Sequence, residues 1–216
     1  MRNILQDLRE LTDEKYKKFT SGLLPGVNFV LGVRVPIIRR YTKTFNLEEA
    51  QDFCKNYKLK YFEEYFLKGL LVAAICKKIP PQKAVKEIQK FIPEISNWSV
   101  CDAFCADLKF IKKYQQIFLP LILKNLKSKA EFAQRTALNL ARSYYLDDNY
   151  GKQIIKAIII LKPTQYYAQM AQAWFMCEAY IKQPAQAKPA LKLLTPEVYK
   201  MTIRKIKDSY RTDISI

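Results

Sequence analysis

Histidine never occurs in this chain of 216 residues. Its absence removes Ser-His-Asp and Cys-His catalysis, and most zinc sites, at a stroke. Glycine is scarce too, with five in all. All-β and Rossmann-type proteins usually need more, for tight turns and phosphate loops, so the balance favours helices. The cysteines Cys54, Cys76, Cys101, Cys105 and Cys177 are odd in number and never spaced C-x-x-C. They sit in apolar helical patterns and read as buried free thiols of a reducing cytosol. No basic, apolar and small-residue signal pattern opens the chain, and the apolar run 154–161, IIKAIIIL, is too short to span a bilayer. These absences predict a soluble, cytoplasmic protein.

What the chain does have is hydrophobic mass and positive charge. Half of its residues are hydrophobic and 13% are aromatic, which excludes global disorder. The length suits one domain with a sizeable core, or two small ones at most; the reading adopted is a single helical-repeat domain over 1–216. Lysine and arginine number 37 against 20 acidic residues, a formal net charge of +17. Residues 1–100 carry +7 of it and residues 101–216 carry +10, so the excess is no detachable tail. A net charge of that size exceeds what solubility asks for. It predicts a broad basic surface whose default partner is nucleic acid, with an anionic membrane surface as the rival.

The start, NILQDLRELTDEKYKKFTSGLLPG, reads as two short helices around a Thr12 cap, with Lys15 where a capping-box glutamate would sit, ending near Ser21–Gly26. In LGVRVPIIRRYTKTF, Pro36 opens a helix after a basic loop. From Tyr61 onward, apolar-periodic segments recur at about 61–79, 81–91, 98–111, 113–127, 129–145, 149–161, 165–182, 184–194 and 196–209. Pro, Asn, Asp or Ser mark the breaks, and no segment alternates like a strand. Short connections make consecutive helices antiparallel neighbours. So many in series predict an all-α protein, an α-solenoid of HEAT-like antiparallel helical repeats, with an irregular helical bundle as the alternative.

The stretch NWSVCDAFC, residues 97–105, sets one of two tryptophans one helical turn before an aspartate. On a wheel of 98–111, Val100, Phe104, Leu108 and Ile111 form the core stripe. Trp98, Asp102, Cys105, Ala106 and Lys109 fall opposite it. Trp98 can pack on a neighbouring repeat while Asp102 pairs with Lys109 or another base. The functional alternative is that a carboxylate in so positive a field persists because it faces a cation. In KAEFAQRTALNLARSYY, Ala130, Ala133, Ala137, Ala141 and Tyr144 make the buried stripe and Arg135 points away. Arg135 is then either an ordinary solvated charge or a phosphate clamp using its planar guanidinium. Trp174 shares a face with Tyr167, Met170, Cys177 and Ile181, a stripe typical of a core.

With their spacing, LGVRVPIIRR, NWSVCDAFC, RTALNLA and AQAWFMCEAYIK cover most of residues 14–183. In that order they resemble the AlkD-type DNA alkylation repair proteins, HEAT-like solenoids that cup duplex DNA in a basic concave groove. The resemblance implies that Trp98 and Asp102 meet the damaged nucleotide, that Arg135 contacts DNA near the lesion, and that Trp174 is a second lesion-facing tryptophan. Arg34, in the basic loop, and Lys109 join Arg135 as expected DNA contacts. The glycosylases of the family usually carry an arginine one turn after the second tryptophan, where this chain has Cys177. A neutral thiol cannot clamp phosphate.

The implied chemistry is hydrolysis of the N-glycosidic bond of a purine made cationic by N3- or N7-alkylation. Asp102 stabilises the oxocarbenium-like sugar and orients a water, and the indole faces favour the cation. The implied partner is duplex DNA, preferably alkylated, held by a monomer. The resemblance further implies recognition without flipping the base into a pocket. Two readings compete with this one: a non-catalytic helical-repeat protein for bent, branched or damaged DNA, and a scaffold for an acidic protein.

Overall fold

A computed structural model of the chain describes residues 2–211. Among these the protein is all-α, thirteen α-helices with short 3₁₀ turns and no named strand. One isolated antiparallel bridge, Thr12 to Val33, is the nearest approach to a sheet. The chain divides into two compact units between Leu108 and Lys109.

The first unit holds α1 (Ile4–Glu10), α2 (Glu14–Leu23), α3 (Val35–Thr42), α4 (Leu47–Asn56), α5 (Phe62–Cys76), α6 (Pro81–Phe91) and α7 (Trp98–Asp107). Its hub is α5, where Phe66, Leu67, Leu70, Leu71, Ala73 and Ile75 are all buried. A helix buried on most of its sides must be packed on most of them, and α5 lies against α3, α4, α6 and α7. Gly69 sets how closely they approach. A Cβ there would come within 3.3 Å of the Phe91 ring, which stacks edge-on with Phe104 at 4.9 Å. That pair binds α6 and α7 onto α5. Truncating Phe104 would cost about 3–5 kcal/mol.

Buried carboxylates organise the entry to α5. Glu63, fully buried, accepts backbone N–H groups from Leu31 (2.9 Å), Gly32 (2.7 Å) and Val33 (3.2 Å). Glu64 accepts those of Lys60 and Tyr61 and the Tyr57 hydroxyl. Gly32 has φ +97°, and a Cβ there would lie 2.6 Å from Lys17 Cβ. No side chain fits at that point, and the loop before Arg34 is pinned.

The second unit holds α8 (Gln115–Leu126), α9 (Glu131–Tyr144), α10 (Gly151–Ile159), α11 (Tyr166–Lys182), α12 (Pro184–Ala190) and α13 (Pro196–Lys207). Its hub is α11, packed on α9, α10, α12 and α13, while α8 packs on α9. Within each unit contacts therefore join consecutive helices and alternate helices, the pattern of stacked helical pairs. The nine segments read from Tyr61 onward all appear, with ends shifted by a few residues. No described helix is long and apolar enough to cross a membrane. All five cysteines are free; four are buried and Cys54 half-buried. Burial pushes the Cys54 and Cys76 thiols up to about 12.

Two local expectations need correcting, and one helix was not foreseen. The second helix is capped by Asp13, not Thr12: Asp13 accepts the Tyr16 N–H, and the Thr12 hydroxyl bonds back to Arg9. Helix α7 stops at Asp107, and Lys109–Tyr114 winds as 3₁₀. Helix α4 fills a stretch given no element from sequence, although Asn46 and Glu49 form a reciprocal capping box at its start.

Candidate nucleic-acid interface

In the first unit the centre of interest is α7. Asn97 opens it by accepting the Val100 N–H, which aims the first turn. Val100, Cys101, Phe104 and Cys105 face inward. Trp98 and Asp102 lie one turn apart on the other side, both half-buried. Trp98 is neither a core ring nor a freely exposed one. Its indole N–H donates to Leu23 O at 3.0 Å, satisfying a carbonyl left open at the end of α2. Cys105, expected on the same open side, is buried. The far end of α7 is fixed by Asp107, which accepts from Arg39 Nη1 of α3 at 2.7 Å. Both ends of the helix that carries Asp102 are thus tied to the rest of the unit.

Arg34, also in this unit, is exposed but paired. Its guanidinium donates twice to Asp13 and lies 5.2 Å from the centre of the Tyr16 ring. The Tyr16 N–H and Arg34 both hold the Asp13 carboxyl below its ordinary value. Sequence reasoning found Arg34 and missed that partner.

In the second unit, Lys109 is exposed on the 3₁₀ turn and so belongs to no face of α7. Arg135 is the plainest departure from the wheel. It is 5% exposed, and its Nη1 donates to Tyr167 O at 2.9 Å. One turn earlier Glu131 accepts the Tyr167 N–H at 2.6 Å. Residues i and i+4 of α9 thereby grip both backbone groups of one residue in the first turn of α11. The Tyr167 ring stacks on Phe132 and lies under the Arg135 guanidinium. Ala130, placed in the buried stripe by the wheel, is exposed at the helix start.

Trp174 departs in the opposite direction. The wheel gave it a core stripe; it is 39% exposed, while Cys177 one turn on is buried. Two cations lie over its ring. Lys205 Nζ of α13 is 4.7 Å from a ring centre, and Arg142 Cζ of α9 is 5.8 Å away. Glu178, the nearby acid on α11, is already engaged by Lys182 (3.0 Å) and Arg211 (2.8 Å). Burial, and after it the Glu178 charge, push the Cys177 thiol up, against the pull of Arg211, Lys205 and Arg142. Cys177 is therefore neutral at physiological pH. Among the described residues no group of three or more His, Cys, Asp or Glu side chains is placed to hold a metal ion.

The profile of the family described as DNA alkylation repair enzyme matches residues 4–207. The chain belongs to that family. The same fold occurs in the solved structure of a predicted DNA alkylation repair enzyme from Enterococcus faecalis, with a TM-score of 0.72 at 16% identity. That match covers 92% of this chain and 98% of the other. No curated protein shows significant sequence similarity. Membership supports a role in DNA repair, and DNA is the partner that role implies.

Proposed function

We propose that the protein binds duplex DNA in the manner of AlkD-type members of its family and hydrolyses the N-glycosidic bond of cationic N3- or N7-alkylated purines. The observation that carries this reading is the half-buried Trp98–Asp102 pair on one side of α7, in a chain of net charge +17. A carboxylate in such a field is repelled by phosphates and is favoured where positive charge develops. Alkylation makes the purine a good leaving group. As the bond to the sugar breaks, oxocarbenium character grows on the deoxyribose. Asp102 stabilises that charge and orients the attacking water, and the Trp98 ring, held by Leu23 O, supplies a fixed aromatic face. Trp174, Arg135, Arg34 and Lys109 are assigned to DNA; of the three cations Arg34 and Lys109 are exposed and Arg135 is buried. For Arg135 that role falls to a guanidinium already tied to Tyr167 O, so it positions α11 as well. The machinery calls on no metal and no cofactor, and a monomer within a single helical-repeat domain suffices.

The direct test is release of N7-methylguanine or N3-methyladenine from methylated duplex DNA by the purified protein. Release above the spontaneous background supports the glycosylase. One observation favours a second reading: Cys177, buried and neutral, stands where the resemblance places an arginine. A protein that binds the duplex steeply with falling salt yet releases no base is the non-catalytic DNA binder instead.

A further inference from the structure

A cleft of about 810 Å³ opens in the first unit between α4, α5 and α6, within the size range that takes a ligand. None of its lining residues lies on α7, and none is among those assigned to DNA. Its floor is aliphatic. Val72 and Ile75 of α5 line it, with Ile79 just past the end of that helix and the neutral thiol of Cys54 from α4. Val72 and Ile75 are buried, while Ile79 and Cys54 are half-buried and so within a ligand's reach. The walls are cationic: Lys55 comes from α4, and Lys83, Lys86 and Lys90 come from α6, all four exposed.

Two carboxylates also line the cleft, and both are committed. Glu94 accepts from Lys68 Nζ at 2.7 and 2.9 Å, and Glu87 accepts from Lys90 Nζ at 2.7 Å. Among the described residues Lys55, Lys83 and Lys86 form no ion pair. The cleft therefore keeps uncompensated positive charge above an apolar floor.

The spread of that charge decides the class of ligand. Lys83 and Lys90 stand two helical turns apart, about 10 Å along α6, and Lys55 joins them from α4. A compact anion reaches one or two of these side chains, whereas a chain with carboxylates several ångströms apart reaches them all. Single-stranded nucleic acid also spaces its charges, but it is held by aromatic faces on which its bases stack. The aromatic in this lining, Phe91, is 2% exposed with its ring against Phe104. An aliphatic floor takes aliphatic side chains. Lysine suits such a partner, because an ammonium on a flexible stem adapts to carboxylates of varied spacing. Clustered positive charge also steers an acidic chain at encounter.

We infer that this cleft is a docking site for an acidic segment of a partner protein. Its spaced Asp or Glu side chains meet Lys55, Lys83 and Lys86, and an aliphatic side chain seats against Ile79 and Cys54. The site goes beyond the DNA-binding reading and does not rest on it.

The test uses the full chain and dye-labelled peptides rich in Asp and Glu, each with two leucines at varied spacing, followed by fluorescence anisotropy at moderate salt. A matched set with serine for leucine and a single-stranded oligothymidylate are the controls. The best leucine peptide should bind the parent roughly tenfold more tightly than its serine counterpart. K83E/K86E should weaken that peptide by on the order of tenfold or more. K152E/K156E reverses two exposed lysines of α10 and changes the net charge equally, and it should leave the affinity within about twofold. Ile79→Ser should weaken the leucine peptide and leave the serine peptide unchanged. Equal losses in the two double variants overturn the site, because net charge alone would then hold the peptide. A serine peptide that binds as tightly as the best leucine one overturns it too. So does oligothymidylate losing affinity in K83E/K86E as the peptide does, or a parent that binds no peptide. Should K83E/K86E melt well below the parent, Lys55→Glu on the other wall decides: an unchanged peptide affinity contradicts the docking site.

Discussion

The two tryptophans sit in opposite electrical company. Trp98 shares its side of α7 with a carboxylate, Asp102, and its indole N–H is tied to the backbone of α2. Trp174 lies under Lys205 and Arg142 and is the more exposed of the two. Residue identity alone does not assign the role; the charges within about 6 Å of the ring do.

The largest effect on this contrast should come from what holds the second cluster in place. Arg135→Ala removes a buried guanidinium and leaves Tyr167 O without one of its donors. Denaturant unfolding should show a loss of about 2–4 kcal/mol. A loss below about 0.5 kcal/mol would mean Arg135 is as free as a surface charge. Next comes the anchorage of the tryptophans themselves. Trp98→Ala should cost about 2 kcal/mol, since it empties a half-buried site and removes the bond to Leu23 O, whereas Trp174→Ala should cost under about 1 kcal/mol. Equal costs would erase the structural half of the contrast.

The smallest effect is a pH dependence. Burial raises the Glu178 carboxyl, but hydrogen bonds from Arg211 and Lys182 outweigh it and hold the group below its usual range. A depressed folded value means that the stability it contributes is present above the unfolded carboxylate pKa and is lost as pH falls through the folded one. Melting temperatures of the parent and Glu178→Gln should therefore differ near neutrality and converge from about pH 5 down to about pH 3. The same variant also removes an acid beside the Trp174 cluster, so its duplex affinity should rise slightly. A parallel offset at every pH would show that Glu178 is not held by its cations.

Much of the fold was legible because apolar periodicity survives in long buried segments, as at 62–76, 131–144 and 166–182. The end of α7 was not. Phe104, Leu108 and Ile111 are spaced four and three apart, which suits an α-helix continuing to 111 and equally a 3₁₀ turn taking over after Asp107. Arg135 was misplaced because a wheel assumes one buried side. Helix α9 is packed by both α8 and α11, and residues 135–141 are buried without interruption. Trp174 failed for the converse reason: α11 is a hub, yet at that one position its neighbours present long cationic side chains and leave the ring part-open. Only the resemblance pointed to Trp174 as outward-facing. The cradle of Glu63 and the capping of Leu23 O by Trp98 are long-range contacts between residues 30 or more apart, which no local pattern encodes.

The account stands most directly on Asp102. The measurement is the single-turnover rate of base release from N7-methylguanine duplex by the parent and by Asp102→Asn, with the affinity of each for the same duplex. Asparagine keeps the size and most hydrogen bonding but removes the charge. The account predicts that the rate falls by on the order of a hundredfold or more while binding is unchanged or slightly tighter. A variant that releases base as fast as the parent, or one whose affinity falls in step with its rate, would contradict it.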